Sequence, residues 1–326
     1  MCSIVSIPVR TPGTRPACAG VGVVLVGYGA SPLEPSTLEA ILDLEIVEVR
    51  NPRFIASDHQ VAEHAGHVVV STANDGYGTA ANTGVAALPD DLDLVLVCTA
   101  DAALALDCVD VLATTLRDHP HVAVVGPVLT TVEASAAGGA DSITSTMAGG
   151  TYSRWGGLHH RFEPMQLQAL QPVDWIDGAV MMVRRSAFEA VGGFASDRFL
   201  YCEDADLCFR VRAAGWSVVV AGAAHARQRS GMSRRAGAHA YLLVRNSVWL
   251  AGRSSGSPSS GVAVARGVAQ SLAEVAKVVG WRRTLPRIAH LRQAVGSLAG
   301  VVDAIRGRSG PPPRWLASST DIGAAC

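Results

Sequence analysis

The first hundred residues of the chain alternate between short apolar runs and segments of mixed polarity. Apolar runs bounded by turn residues are typical of buried strands, whereas longer segments with spaced apolar positions are typical of helices. This pattern predicts strands at 21–26, 45–50, 68–70 and 94–97, with helices at 36–44 and 79–87. Such alternation predicts an α/β fold with a mostly parallel sheet covered on both faces. Ligands of these sheets bind beyond the carboxyl ends of the strands, where Asn51 and Asp101 lie.

The second half of the chain continues the alternation and adds basic and glycine-rich connections. The predicted elements are, in order, a strand at 179–183, a basic turn at 184–185, a short helix up to 192–193, and a helix and a strand joined at 215. Before them, residues 134–150 are rich in Ala, Gly, Ser and Thr, which is typical of a mobile loop.

Two carboxyl-terminal segments, 261–280 and 284–305, have helical apolar periodicity with basic edges. From Arg253 onward the chain contains ten basic and three acidic residues. Such helices either lie on an anionic membrane surface or pack as a pair, and their charges argue against spanning a bilayer. The tail from Ser309 carries three prolines and is expected to be disordered.

These features divide the chain into five parts. They are a tail (1–18), two joined halves (19–130 and 131–250), an amphipathic helical extension (251–308) and a disordered tail (309–326).

Composition bounds the class of protein. With 326 residues, of which 49% are hydrophobic, the chain can bury a substantial core as one α/β domain or two joined halves. Its net charge of −1 argues against a nucleic-acid-binding surface. The seven cysteines form no C-x-x-C pair and lie mostly in apolar stretches, which predicts packed thiols in a reducing cytoplasm.

Three carboxylates, Glu203, Asp204 and Asp206, lie within four positions of the segment FLYCEDADLCFRVR. Carboxylates placed close together beside apolar residues raise one another's pKa, so one of the three is a candidate to remove a proton in catalysis. The alternative is a helix amino terminus, where Glu203 and Asp204 complement the helix dipole and Asp206 pairs with Arg210. These residues alone leave both interpretations open.

Two further segments are candidates for a phosphate or metal site. Asp101 follows the apolar run LVLVCTA, and a carboxylate at a sheet edge suits a divalent ion that neutralises a diphosphate. The segment NDGYGTAAN at 74–82 carries two glycines that let backbone amides approach a phosphate or ribose. The structural alternatives are a helix cap at Asp101 and an ordinary turn before a helix at 76–78.

The order of these motifs resembles family 2 glycosyltransferases, especially bacterial rhamnosyltransferase-like members. In the second half, the resemblance rests on W-x-x-G-A from Trp175, then R-R-x-A-F-x-x-V-G-G-F, aromatic-x-E-D-x-D-L-x-x-R and A-G-W. In the first half, it rests on NDGYGTAANTGVAAL at 74–88 and on a strand that ends where the family has N-P-D, here at 99–101. The match runs from about 21 to 246.

The resemblance implies the GT-A fold, a Rossmann-like, mostly parallel sheet flanked by helices, here with a C-terminal helical extension. It implies a nucleotide-diphosphate sugar as donor and a divalent cation, Mg²⁺ or Mn²⁺, held by Asp101. The donor-binding residues that it implies are Val26, Gly27, Asn51, Asn74, Gly76, Tyr77, Gly78, Asn82, Thr99, Ala100, Asp101, Gly192 and Gly193. The acceptor-binding residues that it implies are Trp175, Asp177, Gly178 and Ala179.

The family's E-D pair implies the catalytic residues. Asp204 would be the base that deprotonates the acceptor hydroxyl in an inverting single displacement, and Glu203 would orient it or contact the acceptor. Trp175 would form an apolar platform for a sugar, and the alternative for this residue is a place in the core. The implied acceptor is a glycan or a polyprenyl-diphosphate-linked sugar, and the transferred sugar could be rhamnose. Such a protein is expected in the cytoplasm, with membrane contact at the inner face of the cell membrane.

Three positions depart from the family pattern. Arg50, followed by Asn51, stands where the family has an acidic residue, and Ala195 stands where it has an aspartate. Gln228 stands where the family has a histidine, and the histidine of this chain, His225, lies three residues earlier. These departures imply an altered donor, looser metal dependence or lost activity. A catalytically inactive sugar-nucleotide-binding or scaffold protein of the same fold is therefore the alternative function. A nucleotidyltransferase would need a glycine-rich loop with Lys or Arg near the first strand, which VGYGASPLEP lacks.

Overall fold

The computed structural model describes ten segments of the chain. They are residues 16–27, 33–50, 67–71, 73–133, 142–153, 157–162, 170–229, 236–253, 260–280 and 284–316. Asn51, which the sequence predicts to bind the donor, lies outside these segments.

Strands and helices alternate along the described residues. The strands are β1 (Val21–Gly27), β2 (Glu45–Arg50), β3 (His67–Ser71), β4 (Leu94–Thr99), β5 (Ala102–Leu104), β6 (Val122–Glu133), β7 (Ser142–Met147), β8 (Gly150–Tyr152), β9 (Leu158–His160), β10 (Leu170–Pro172), β11 (Val180–Arg184) and β12 (Ser217–Arg229). The helices are α1 (Pro35–Ile41), α2 (Tyr77–Ala87), α3 (Cys108–Asp118), α4 (Arg185–Ala190), α5 (Glu203–Ala213), α6 (Ala236–Arg253), α7 (Ser260–Gly280) and α8 (Thr284–Ile305).

Among the described residues, a mixed ten-stranded sheet forms the centre of the molecule. Its order is β10-β12-β6-β11-β4-β1-β2-β3, with β5 attached to β12 and β7 attached to β6. Strands β1 to β4 run parallel, whereas β11 is antiparallel to both of its neighbours, β4 and β6. The carboxyl ends of β1 and β4 therefore meet the amino end of β11 at one edge of the sheet.

Each side of the sheet has its own apolar core. Along β1, Val24 and Val26 face one side, where α2 and α5 pack, and Val23 and Leu25 face the other, where α1 and α3 pack. Strands buried on both faces need apolar residues at successive positions, which explains the uninterrupted apolar runs in the sequence. The sequence-based prediction of an α/β fold with a mostly parallel sheet is confirmed.

Helices α6 and α8 pack with their backbones in close approach. A side chain at Gly296 would overlap the carbonyl oxygen of Gly237, so only glycine fits at this crossing. The Tyr241 hydroxyl donates to Asp303 Oδ2 at 2.8 Å and ties the two helices together with a buried hydrogen bond. The helical extension is thus joined firmly to α6.

The structure differs from the sequence-based expectations in the connecting regions. Within the predicted mobile loop 134–150, residues 142–147 form β7, which pairs antiparallel with the carboxyl-terminal part of β6. Residues 134–141 lie outside the described segments. The boundary predicted at 130/131 falls inside β6, and the boundary predicted at 250/251 falls inside α6. Each of these elements continues from one predicted part of the chain into the next.

Both predicted tails include packed residues. At the start, Cys18 is buried at 3% exposure in a short 3-10 turn, Pro16–Cys18. Near the end, Arg245 Nη1 donates to the Gly310 carbonyl oxygen at 2.8 Å, and Leu316 packs beside α6. Residues 309–316 are therefore ordered against α6, which corrects the prediction of disorder from Ser309.

The cysteines described by the structure are buried thiols that form no disulfide with one another, as the sequence predicts: Cys18, Cys98, Cys108, Cys202 and Cys208. Burial raises the pKa of Cys108 and that of Cys208 to about 12, so both thiols stay protonated at neutral pH.

Candidate active site

The acidic pair Glu203 and Asp204 begins α5 and follows an unusual backbone turn. Tyr201 and Cys202 both adopt the left-handed conformation, with φ of 71° and 69°. Residues with a side chain adopt this conformation at a cost in free energy, and such turns persist only where neighbouring contacts hold them. The turn sets the direction in which Glu203 and Asp204 leave the backbone.

Asn246 of α6 holds this turn in place. Its side-chain amide donates to the carbonyl oxygens of Leu200 and Tyr201 at 2.9 and 2.8 Å, and its Oδ1 accepts from Arg245 Nε at 3.0 Å. The Asn246 side chain is fully buried. Helix α6, which carries Asn246, therefore positions the start of α5.

Asp204 is half-buried and oriented by backbone amides. Its Oδ2 accepts from the N–H of Gly178 at 2.9 Å, and its Oδ1 accepts from the N–H of Ala205 at 2.7 Å. Burial and the nearby charge of Asp177 raise the pKa of Asp204 to about 7, against the opposing effect of these hydrogen bonds. A carboxylate with this pKa exchanges a proton readily at neutral pH.

Glu203 lies deeper than Asp204, at 5% exposure. Burial raises the pKa of Glu203 well above its ordinary value, and the charge of Asp204 raises it further. Its Oε2 has no hydrogen-bond partner among the described residues. Burial and the neighbouring carboxylate thus both oppose ionisation of Glu203 beside Asp204.

Tyr77 joins the glycine-rich segment to this acidic site. Its hydroxyl donates to the Gly178 carbonyl oxygen, and its backbone N–H donates to the Phe199 carbonyl oxygen at 2.9 Å. Burial, followed by the charge of Glu203, raises the pKa of Tyr77 well above its ordinary value. The sequence predicts Tyr77 to bind the donor, whereas the structure places its hydroxyl on the turn that holds Asp204.

Gly76 allows this close approach. It has a φ of 106°, and a Cβ at this position would overlap the Phe199 backbone. Glycine is therefore required here by both conformation and space.

Backbone hydrogen bonds connect the acidic site to the carboxyl ends of β1 and β4. The Thr99 N–H donates to the Ala179 carbonyl oxygen at 2.9 Å, and the Ala100 N–H donates to the Val26 carbonyl oxygen at 3.1 Å. Because Ala179 follows Gly178, which binds Asp204, the 99–101 segment and Asp204 lie at the same edge of the sheet.

Asp101 lies in a turn between β4 and β5, and the next helix, α3, begins only at Cys108. The helix-cap alternative for Asp101 is therefore wrong. Gln228 of β12 pairs with Ala102, which places it beside the residue that follows Asp101. Its amide oxygen and the Asp101 carboxylate are hard ligands of the kind that Mg²⁺ and Mn²⁺ accept.

The described residues at this edge supply few metal ligands of their own. Within the described segments, no cluster of three His, Cys, Asp or Glu side chains is arranged to hold a metal ion. Sites for Mg²⁺ commonly combine one or two carboxylates with substrate phosphates and water. Asp101 is compatible with such a site, and Gln228 lies on the strand that pairs with the residue after Asp101.

Several residues predicted to bind the donor have structural contacts of their own. Asn82 Nδ2 donates to the Phe194 carbonyl oxygen at 2.8 Å, and its Oδ1 accepts from the Phe194 N–H at 2.9 Å. This two-point contact fixes the Gly193 turn, which has a φ of 69°. Gly78 is buried, and a Cβ there would lie 3.0 Å from Phe194 Cβ. Asn82 and Gly78 therefore pack α2 against the turn after α4.

Other predicted donor residues are more open. Gly192 has a φ of 78° and no atom within 4 Å of the position of a Cβ. Gly27 ends β1 and is half-buried, and Asn74 is half-buried just before α2. The open space at Gly192 and the partial exposure of Gly27 and Asn74 are compatible with the predicted donor contacts.

Trp175 is buried at 4% exposure, with its ring 4.8 Å from that of His160. Its indole Nε1 donates to the Thr151 carbonyl oxygen at 3.3 Å, and a Cβ at Gly150 would overlap the ring. Of the two interpretations of Trp175, the core residue fits this position better than a sugar platform.

The remaining charged residues near the motifs have structural partners. Asp206 is 2% exposed and pairs with Arg210 at 2.8 Å, as the helix interpretation predicts. Arg185 pairs with Glu189 and Asp90 at 2.8 and 3.2 Å, at the opposite edge of the sheet from Asp204. The basic turn is therefore remote from the candidate active site.

Comparison with protein families identifies the chain. A family model described as glycosyl transferase family group 2 matches residues 94–274. The chain belongs to this family of glycosyltransferases. The matched range includes Asp101, the Asp177–Ala179 turn and the Glu203–Asp204 pair, so the family assignment covers the candidate active site.

Two curated relatives of this glycosyltransferase are rhamnosyltransferases. The N-acetylglucosaminyl-diphospho-decaprenol L-rhamnosyltransferase of Mycobacterium tuberculosis is 32% identical over 208 residues, which cover 54% of this chain and 66% of that protein. The chain thus spans just under two thirds of the length of this relative. Rhamnosyltransferase WbbL of Escherichia coli is 54% identical over 43 residues, 13% of this chain and 16% of that protein.

Solved structures share the fold of this glycosyltransferase. Staphylococcus aureus TarS (residues 1–349) superposes with a TM-score of 0.52 at 11% identity, covering 91% of this chain and 82% of that chain. The mannosyltransferase PcManGT from Pyrobaculum calidifontis, solved with GDP-Man and Mn²⁺, gives a TM-score of 0.50 at 16% identity, covering 89% and 88%. The predicted GT-A fold is confirmed.

The sequence did not reveal the residues that support the site of this glycosyltransferase. Asn246 lies 45 residues from Tyr201, to which it donates, and no local pattern connects them. Tyr201 and Cys202 are not residue types that favour a left-handed backbone, so the turn before α5 also had no signal in the sequence.

Proposed function

We propose that this glycosyltransferase moves a sugar from a nucleotide-diphosphate donor to a hydroxyl of a glycan or of a polyprenyl-diphosphate-linked acceptor. The observation that carries the proposal is the Asp204 carboxylate, which two backbone amides orient and whose pKa of about 7 suits a general base. It lies at the sheet edge that also carries Asp101, in a chain of the matching family.

The proposed reaction is a single displacement. Asp204 accepts the proton of the acceptor hydroxyl while the acceptor oxygen forms a bond to the anomeric carbon of the donor sugar. The bond from that carbon to the diphosphate oxygen breaks, and the diphosphate leaves with the electron pair. Attack from the face opposite the leaving group inverts the anomeric configuration.

Glu203 and Asp177 assist Asp204 in different ways. The Asp177 charge helps to raise the pKa of Asp204 into the neutral range. Asp177 Oδ1 also accepts from the Ala179 N–H at 2.9 Å, which shapes the turn that orients the base. Glu203, whose pKa burial raises, would orient Asp204 or contact the acceptor.

The donor would occupy the edge formed by the ends of β1 and β4. Thr99 Oγ1 is buried there without a hydrogen-bond partner among the described residues, which is consistent with a polar ligand at this position. Val26, Gly27, Asn74 and the 99–101 segment would contact the nucleotide. A divalent cation, when bound at Asp101 with Gln228 beside it, would neutralise the charge of the departing diphosphate.

The transferred sugar is proposed to be rhamnose or a related hexose. The motif resemblance and the Mycobacterium tuberculosis relative, whose name gives a decaprenol-linked acceptor, support this proposal. We place the reaction in the cytoplasm, at the inner face of the cell membrane, where a polyprenyl-linked acceptor would be reached.

The experiment is a panel of deoxythymidine-, uridine- and guanosine-diphosphate sugars, each tested for binding by thermal shift with and without Mn²⁺ and then for transfer. Asp204→Asn should retain donor binding and lose at least about 100-fold in kcat. Asp118→Asn, which changes an exposed carboxylate at the end of α3, is the matched control and should retain full activity.

Full turnover by Asp204→Asn would contradict the role of this residue. Saturable binding of a donor by the unmodified protein, without transfer or hydrolysis of any sugar in the panel, would instead indicate the inactive sugar-nucleotide-binding protein.

A further inference from the structure

Helices α7 and α8 carry a continuous apolar stripe on their outer side. Its side chains recur at helical spacing and are between 41% and 67% exposed: Leu272 and Val275 of α7, and Leu291, Val295, Leu298 and Ile305 of α8. Six exposed aliphatic side chains on one face are uncommon on a surface that meets only water.

The two halves of the stripe adjoin each other. A shallow groove of about 170 Å³ runs between the helices, and its walls are apolar side chains apart from Ser271. The opposite faces of the same helices are packed, since Ala263 of α7 and Ala304 of α8 belong to one buried cluster with Val248 of α6. The hairpin is therefore anchored on one side and open on the other.

The charge of this region opposes that of the rest of the molecule. Residues 260–316 contain nine Lys and Arg against two Asp and Glu, a net charge of +7, so the remainder of the chain carries −8. The two acids leave most of these cations uncompensated, because Glu274 pairs with His290 at 2.7 Å and the buried Asp303 pairs with one arginine, Arg308, at 3.8 Å. Arg292 lies near one end of the stripe, and Arg306 and Arg308 lie at the other, all exposed.

We propose that the α7–α8 hairpin docks this protein on the surface of an anionic lipid bilayer. The apolar stripe would enter the boundary between headgroups and acyl chains, and the arginines at its ends would contact lipid phosphates. The hairpin lies on the bilayer and does not cross it: among the helices that the structure describes, none is long and apolar enough to span a membrane.

The charge of the hairpin region favours an anionic lipid surface, rather than a second copy of the chain, as the partner of this face. Two copies that met through this face would bring two regions of +7 together, which repel each other. A bilayer with anionic headgroups attracts the same region and also covers the stripe.

Docking would also set the position of the active site. Helix α6, on which the hairpin packs, carries the Asn246 side chain that holds the turn before Glu203 and Asp204. A lipid-linked substrate would thus meet the active site at a fixed distance from the bilayer. This consequence depends on the proposed function, whereas the docking itself does not.

The test uses the full chain and vesicle co-sedimentation, without donor or acceptor. The protein should bind vesicles of phosphatidylcholine with about 30% phosphatidylglycerol, bind pure phosphatidylcholine at least about tenfold more weakly, and be released by high salt. Because no sugar substrate is present, failure of this test and failure of the transfer reaction can be told apart.

Variants separate the two parts of the surface. Changing Leu272, Leu298 and Ile305 together to Gln should weaken vesicle binding at least about thirtyfold, because three apolar side chains no longer enter the bilayer. These side chains are 64%, 51% and 67% exposed, so the fold should be retained. The matched control changes Ile143, which is 71% exposed on β7, to Gln and should bind like the unmodified protein.

A second variant tests the charge. Arg292, Arg306 and Arg308 changed together to Glu should weaken binding to anionic vesicles by at least about fivefold for each arginine, and should leave the weak binding to phosphatidylcholine unchanged.

Three results would overturn the proposal. They are equal binding to anionic and zwitterionic vesicles, a triple Gln variant that binds as well as its Ile143→Gln control, and a dimer that forms through this face in light scattering while no vesicle binding is seen.

Discussion

Replacing Asn246 by leucine should damage the active site from a distance. The leucine side chain has nearly the same size, but it removes three hydrogen bonds. Two are donated to the carbonyl oxygens of Leu200 and Tyr201, at 2.9 and 2.8 Å, and one is accepted from Arg245 Nε at 3.0 Å. Each lost bond costs about 1 kcal/mol, and a buried carbonyl oxygen left without a donor costs about 1–3 kcal/mol. We therefore expect a loss of about 2–4 kcal/mol in the free energy of unfolding.

The structural consequence should be local. Tyr201 and Cys202 hold left-handed conformations that cost of order 1 kcal/mol or more each, and the Asn246 amide opposes their relaxation. Without it, the turn should relax and move Glu203 and Asp204. A displacement of about 1 Å at a catalytic group can lower the rate about 100-fold, so kcat should fall more than KM changes.

Urea unfolding, kcat and KM, and hydrogen exchange of the Gly178 amide, which donates to Asp204, measure these effects. Ser247→Ala is the matched control: Ser247 is 3% exposed in the same helix, but its hydroxyl donates only to carbonyl oxygens within α6 among the bonds described. If Asn246→Leu and Ser247→Ala lose the same stability and leave Gly178 exchange unchanged, Asn246 does not position the site.

Three further predictions concern the residues of the site and its supports. Activity should rise with pH through about 7, because Asp204 accepts a proton only when ionised, and Asp204→Asn should abolish the activity that shows this profile. Because the pKa of Asp204 is raised in the folded state, Asp204 adds to the free energy of unfolding below its unfolded pKa of about 3.8, and this stabilisation is lost as the pH rises through about 7. The free energy of unfolding of Asp204→Asn, measured in urea, should not show this decrease with pH. Gly76→Ala should lower the free energy of unfolding by at least about 2 kcal/mol, because its Cβ would overlap the Phe199 backbone, whereas Gly215→Ala, with a φ of 93° and open space around it, should cost about 1 kcal/mol. Asp206→Asn should lower the free energy of unfolding by about 2 kcal/mol, because it breaks the ion pair with Arg210, and should leave nucleotide binding unchanged. Weakened nucleotide binding would show that Asp206 reaches the site.

Local sequence patterns were sufficient to predict the elements that bury their own side chains. The run at 45–50 corresponds to β2, and the two periodic segments near the carboxyl terminus correspond to α7 and α8. In each, the spacing of apolar residues predicts the element itself, although part of the apolar surface of α7 and α8 is exposed. The strand at 142–147 was missed because its residues are mostly exposed Ser, Thr and Ile, so they carry no burial pattern.

The contacts that form the candidate site depend on long-range packing. Gly178 meets Asp204 and Tyr77 across 26 and 101 positions, because β11 inserts next to β4 and brings the Asp177–Ala179 turn to the sheet edge. Motif resemblance could select Asp204, but it could not show which amides orient it. Nor could it distinguish Trp175 as a core residue, since the burial of an indole depends on neighbours such as His160 and Gly150.

The close crossing of α6 and α8 limits how the chain can be divided. Glycine at 296, the hydroxyl of Tyr241 and the Arg245 bond to Gly310 interlock the carboxyl-terminal helices with the helix that supports the acidic pair. A truncation after residue 253 would therefore expose the back of α6 as well as delete the hairpin. Chimeras that exchange this portion between relatives need a junction upstream of α6, so that the helix and its partners are transplanted as one unit.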